Sequence, residues 1–291
     1  MKNDKAKKIT FISKKSTTCP ICSTSFFKEE LLTGGGRLIA DDLKDDLRRI
    51  YEPSNKFGPV FPLIYSITVC PECYFSAFPG DFSAVPEKDI GNLKMETERR
   101  KKSIKHIFGF IDFREPRTLK EGAASYYFAL MSYCHFPSKM SPTIKCGLLA
   151  LRLAWVFQDL HRAYPAENYD YLEKIFYRKA RFFYTLSIEY EGSGKEDITL
   201  VKNLGPDLDK NYGYDGVLYL SAYLEYRYGS ESDPAKRESS LNFAKRSLAK
   251  LFGMGKASKE KPTPLLEKAK SLYKEIGGNL KAEEENESAQ H

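Results

Sequence analysis

Two Cys-Pro-X-Cys pairs, Cys19-Pro20-Ile21-Cys22 and Cys70-Pro71-Glu72-Cys73, constrain this chain more than anything else in it. Each pair sets two thiols on one tight turn. Two such turns brought together supply four soft ligands, the tetrahedral set of a structural zinc site. Proline at the second position fixes φ and removes a donor, which leaves neighbouring amides free to point at the thiolates. A catalytic zinc needs an open position and a nearby base, whereas four thiolates close the shell. The expected cofactor is therefore a structural zinc ion on Cys19, Cys22, Cys70 and Cys73, with no catalytic residue assigned. A pair of redox CxxC motifs is the weaker reading, because such motifs usually open a helix after a strand.

Composition narrows the remaining classes. Lysines at positions 2, 5, 7 and 8 resemble the start of an export signal, but Ile9-Thr10-Phe11-Ile12 is too short for its hydrophobic region. The longest apolar run, Gly147 to Phe157, is interrupted by Arg152 and is well short of a membrane span. A cytoplasmic protein with no membrane contact is expected, and its paired cysteines should bind metal rather than form disulfides. Cys134 and Cys146 stand apart and read as small buried side chains. Basic residues number 46 against 39 acidic, and residues 1–118 hold 21 and 16 of them, so five of the seven excess charges sit there. That bias falls short of a dedicated DNA-binding footprint. The turns Gly34-Gly35-Gly36 and Gly192-Ser193-Gly194-Lys195 lack the phosphate-loop pattern, so no nucleotide cofactor is expected.

Along the chain, residues 1–16 read as a flexible basic arm and 17–85 as a four-cysteine zinc-ribbon-like module. Within the module, Ala40 to Tyr51 places Leu43, Leu47 and Ile50 at helical spacing, and Leu63 to Val69 alternates as a strand delivering Cys70. Arg37, Asp42, Asp45 and Asp46 then read as a solvated helix start with one paired arginine. Residues 86–117 form a charged connecting helix. Its basic run Arg99, Arg100, Lys101, Lys102 and Lys105 could touch phosphates, but Glu96 and Glu98 precede Arg100 and Lys102 by four, the order that stabilises a solvated helix.

Residues 118–280 carry amphipathic helices. Thr118-Leu119-Lys120-Glu121 is a capping box and Ser141-Pro142 a helix start. Gly229 and Gly253 suit left-handed helix ends, and Gly277-Gly278 should close a last helix at Ile276. Gly147, Leu151 and Ala154, then Ala180, Tyr184 and Ser187, repeat the small–large–small spacing of tetratricopeptide helices. The polar tail 281–291 reads as disordered. The fold class is mainly α: a small N-terminal α+β zinc-ribbon-like module followed by a tetratricopeptide-like antiparallel helical domain.

The cysteine region resembles an uncharacterised bacterial family, domain of unknown function 2225. The resemblance rests on Cys19-Pro20-Ile21-Cys22, on Arg37 and Asp45-Asp46-Leu47 to Tyr51, and on Pro62, Tyr65 and Val69-Cys70-Pro71-Glu72-Cys73. It covers roughly residues 17–78 and extends into the helices. The family usually follows its last cysteine with Gly-Tyr-Ala, where this chain has Tyr74-Phe75-Ser76-Ala77, so a residue suited to positive φ is missing. The resemblance implies a zinc-binding module with helical repeats and implies no activity.

The function expected is a zinc-binding protein–protein interaction scaffold, more readily non-enzymatic than not. Aromatic residues left over from helix packing would line its groove. The alternative is a nucleic-acid-binding accessory factor using the ribbon and Arg99, Arg100, Lys101, Lys102 and Lys105. A thiol redox enzyme ranks last.

Overall fold

A computed structural model describes residues 8–252 and 262–288. Both cysteine turns are the tips of antiparallel hairpins. β1 (Thr10–Thr18) pairs with β2 (Ser25–Leu31) from Thr10↔Leu31 to Thr18↔Ser25, with a bulge between Ile12 and Ser16. The expected arm is therefore a strand from Thr10 onward, and residues 1–7 lie outside the described residues. Pairing with β2 satisfies its backbone. A third hairpin joins β3 (Ile39–Leu43) to β4 (Arg49–Glu52). It replaces the helix expected over 40–51. Asp46, Leu47 and Arg48 are consecutive and all buried, which a one-faced helix cannot provide, and Leu47 has φ +62°.

A 3-10 turn at Pro62–Tyr65 takes the first three residues of the expected 63–69 strand; only β5 (Thr68–Val69) remains as strand, paired with β6 (Ser76–Ala77) around the second cysteine turn. The single connecting helix is instead three pieces after the short α1 (Pro79–Phe82): α2 (Glu87–Met95), α3 (Thr97–Ser103) and α4 (Lys105–Phe108). The breaks turn Leu93, Arg100, Ile104 and Phe108 inward together.

The helical part follows the expected order: α5 (Leu119–Tyr133), α6 (Pro142–Ala163), α7 (Tyr169–Gly192), α8 (Gly213–Tyr228), α9 (Pro234–Leu251) and α10 (Thr263–Ser288). Thr118 and Glu121 close both arms of the capping box on α5. Each helix packs on the next, as in a helical array, and α8 also meets α10. Gly147 permits the α6–α7 contact: a Cβ there would sit 3.0 Å from the Tyr184 ring.

Two helix ends differ from expectation. Gly229 has φ −65°, and is needed for space because Arg237 donates to the Glu225 and Tyr226 carbonyls beside it, both at 2.7 Å. Gly253 lies outside the described residues. α10 runs through Gly277-Gly278 and into the expected tail, since Ile276 and Leu280 are both buried and hold it in place. Residues 289–291 lie outside the described residues.

One continuous core joins the cysteine module to the helices, from Cys19 and Phe75 through Trp155 and Tyr184 to Leu280. Among the described residues no helix is long and apolar enough to cross a membrane.

Candidate metal centre

The two cysteine turns are built alike. In the first, the Cys19 N–H donates to the Thr24 carbonyl and the Ser23 N–H to the Cys19 carbonyl; in the second, Cys70 donates to Phe75 and Tyr74 to Cys70. The distances match at 2.9 and 3.0 Å in both. The residue after each second cysteine is left-handed, Ser23 at φ +62° and Tyr74 at +57°. The turn is thus kept without glycine. Tyr74 is held there by its phenol, which donates to the Ile111 carbonyl at 2.9 Å, and by packing on Phe113 and Phe128.

This duplication brings the four thiols together. The ligand atoms of Cys19, Cys22, Cys70 and Cys73 lie within 4.8 Å of one another. Cys19 Sγ is 3.6 Å from Cys73 Sγ, and Cys22 Sγ is 3.5 Å from Cys70 Sγ. Both approaches run between turns and exceed the ~2.05 Å of a disulfide. They are close to the ~3.8 Å edge of a tetrahedron with metal–sulfur bonds of ~2.3 Å. The donor set fits a single tetrahedral ion. Three of the four cysteines are buried, so no position faces open solvent except beside half-buried Cys22, which contacts Thr24 Oγ1 at 3.3 Å.

The electrostatics favour a cation. Contact with Cys19 and then Cys73 depresses the Cys70 thiol to about 2, so one thiolate forms readily. Cys19 is pushed up to about 12, first by Cys70, and Cys73 is driven up by Cys19 and Cys70 together with burial. A lone thiolate satisfies the group, and further ionisation needs added positive charge.

Part of that charge is Arg100. Its side chain is 1% exposed. Nε donates to the Cys73 carbonyl at 3.1 Å, Nη1 to the Leu93 carbonyl at 2.8 Å and Nη2 to Thr97 Oγ1 at 3.0 Å. The basic run is therefore not one solvated face. Arg99 pairs with Glu96, Lys101 lies 3.8 Å from Glu72, and Arg100 points the other way, behind the thiols. Lys102 is exposed like Lys105, but across the α3–α4 break.

The acidic stretch between the pairs is solvated only in part: Asp41, Asp42 and Asp45 are exposed, whereas Asp46 is buried. Asp46 accepts from Trp155 Nε1 at 2.6 Å and from the Tyr177 phenol at 2.8 Å. Arg48 donates to Asp159 at 2.5 Å, to Gln158 and to the Trp155 carbonyl. Asp45 meets Lys268 at 2.8 Å, while its carbonyl accepts from Tyr219. The tip of the β3–β4 hairpin is thereby gripped by α6, α7, α8 and α10. Asp42 is exposed, and Arg37 donates to the Lys8 and Gly34 carbonyls over the Phe57 ring instead of pairing with a carboxylate. Cys146 is buried as expected; Cys134 is exposed at the end of α5, one residue beyond its last turn.

A relative from Borreliella burgdorferi, described as an uncharacterized protein, is 49% identical over 276 residues, covering 94% of this chain and 99% of its own length. No solved structure matches. The family of uncharacterized proteins conserved in bacteria (DUF2225) matches residues 12–276, which takes in both cysteine turns and all but the end of the helical part. The chain belongs to that family.

Proposed function

We propose that the four cysteines hold one structural zinc ion and that the chain acts as a non-enzymatic scaffold that binds another protein. The carrying observation is the closed, duplicated four-thiol cluster, sealed from below by Arg100 and continuous with the core of the helices. Zinc bound there would fix the two hairpins against each other and against α3, and would supply shape rather than a reactive ligand position.

Withdrawal of Arg100 from the surface, and the facing of Arg99 and Lys101 by Glu96 and Glu72, favour a protein partner over a nucleic acid. Two measurements test the reading. Cobalt substituted for the native metal should give the strong visible bands of a tetrahedral thiolate site; weak octahedral colour would contradict it. Oligonucleotide binding should be negligible across a salt series, whereas steep salt dependence would point to the nucleic-acid alternative.

A further inference from the structure

A cleft of about 660 Å³ lies between the cysteine module and the loop after α7, floored by one face of α6. That volume is within the range of small-molecule sites. Its walls are mainly apolar, with Leu31, Pro62, Phe78 and Leu148 inside and Leu200 and Leu208 at the rim. The rim leucines are 58% and 43% exposed, unusual for two leucines facing one opening.

Three cations, Lys145, Arg152 and Lys202, line the same space against two carboxylates, Glu30 and Asp81. Lys145 is buried and already satisfied by Asp81 at 2.7 Å, and Asp81 also accepts from the Tyr133 phenol. Arg152 is 5% exposed and differs from the other buried arginines. Arg48 faces Asp159, Arg237 faces Glu225, and Arg100 backs the thiols. Arg152 has only neutral partners: the Pro206 carbonyl on Nε at 2.8 Å, the Gly205 carbonyl on Nη2 at 3.1 Å, the Tyr126 phenol and the Phe78 ring. Among the described residues no carboxylate lies within ion-pair distance of it. A buried guanidinium with no direct ion-pair partner, helped only at a distance by the Asp207 carboxylate, is costly, and an anion in the cleft would relieve it through a two-point hydrogen bond. A ligand with one anionic head and an otherwise apolar body matches both the charge and the walls.

We propose that this cleft binds a small amphiphilic carboxylate, its head on Arg152 beside Lys145 and its tail along Leu148 and the rim leucines. Neither zinc occupancy nor a protein partner is needed for this. The test is calorimetric titration of the full chain with octanoate, 1-octanol and octylamine, which share a tail and differ in head charge. Octanoate should saturate a single site at least tenfold more tightly than octanol, with octylamine showing no saturable binding. Arg152→Met should abolish the preference for octanoate. Because that variant also frees two loop carbonyls, Leu200→Glu, at an exposed rim position, provides a folded control and should weaken octanoate at least fivefold. Equal binding of octanoate and octanol, no saturable octanoate binding, or octanoate binding unchanged in Leu200→Glu would each overturn the assignment.

Discussion

Asp46 accepts a hydrogen bond from the indole N–H of Trp155, 2.6 Å away across 109 positions of sequence, and a second from the Tyr177 phenol. This contact joins the hairpin between the cysteine pairs to two helices of the second part. The carboxylate is 7% exposed and Trp155 is fully buried. A buried carboxylate taking two side-chain donors is satisfied; removing its charge or its acceptor leaves those donors stranded.

Asp46→Asn turns one acceptor oxygen into an amide NH2, which must face either the Trp155 and Tyr177 donors or the Arg48 N–H. The expected loss is about 2–4 kcal/mol of stability, the range for breaking a buried charged network. Trp155 is the chain's single tryptophan, so its emission during urea unfolding reports the contact itself. An unchanged urea midpoint would show that the hairpin tip is not energetically coupled to the helices.

Arg100 should matter far more than its neighbours in the basic run. Arg100→Met removes a buried guanidinium from the Cys73 and Leu93 carbonyls, and should cost about 2–4 kcal/mol. Metal affinity should fall about 10–100-fold, as for other supports of metal ligands. Arg99→Ala should stay within about 0.5 kcal/mol, since its pairing with Glu96 is exposed. Chelator competition on the two variants separates them.

The duplicated turns allow a paired test of strain. Ser23 is exposed and left-handed, so Ser23→Gly should stabilise the protein by up to about 1 kcal/mol. Tyr74→Gly relieves the same backbone strain but deletes a ring packed on Phe113 and Phe128 and a hydrogen bond to Ile111, so it should destabilise by about 2–4 kcal/mol. Thermal melting of both variants reads the opposite signs.

Burial raises the Asp207 carboxyl above the ordinary carboxylate range, against the pull of the Leu208 and Arg49 N–H groups. A raised folded value means the folded state holds its proton longer than the unfolded chain. The ionised carboxylate therefore carries a penalty, present above the folded value and relieved as pH falls toward the unfolded value of about 3.9. Asp207→Asn keeps an acceptor for Arg49 and has no proton to lose. The stability of wild type relative to this variant should fall as pH rises from about 4 through the raised value. A relative stability that rises over that window would contradict the assignment.

The cysteine cluster was legible because its chemistry is local: a cysteine pair on one turn needs only four residues, and its repetition at Cys70 identifies the set. Helices α5 to α9 were legible for a similar reason, through caps such as Thr118 and Glu121 that act within one turn. What escaped depends on distant partners. Leu43, Leu47 and Ile50 fall at helical spacing by coincidence, while the burial of Asp46 and Arg48 is set by Trp155 and Asp159, more than a hundred positions away. Arg100 sits in a run of seven charged or polar residues, and nothing in Glu96 to Lys102 distinguishes the one side chain that turns inward to Cys73. The missing glycine at position 74 proved tolerable because the ring finds an anchor on Ile111, again outside the motif.

Metal content is the most direct test of the central claim. Elemental mass spectrometry on protein purified without added metal, for wild type and Cys70→Ser, should give one zinc per chain in the first and loss of zinc together with disruption of the β1–β2 and β5–β6 hairpins in the second. Wild-type protein without zinc, with all four of these cysteines freely reactive toward a thiol reagent, would contradict a structural zinc site and return the cluster to thiol chemistry.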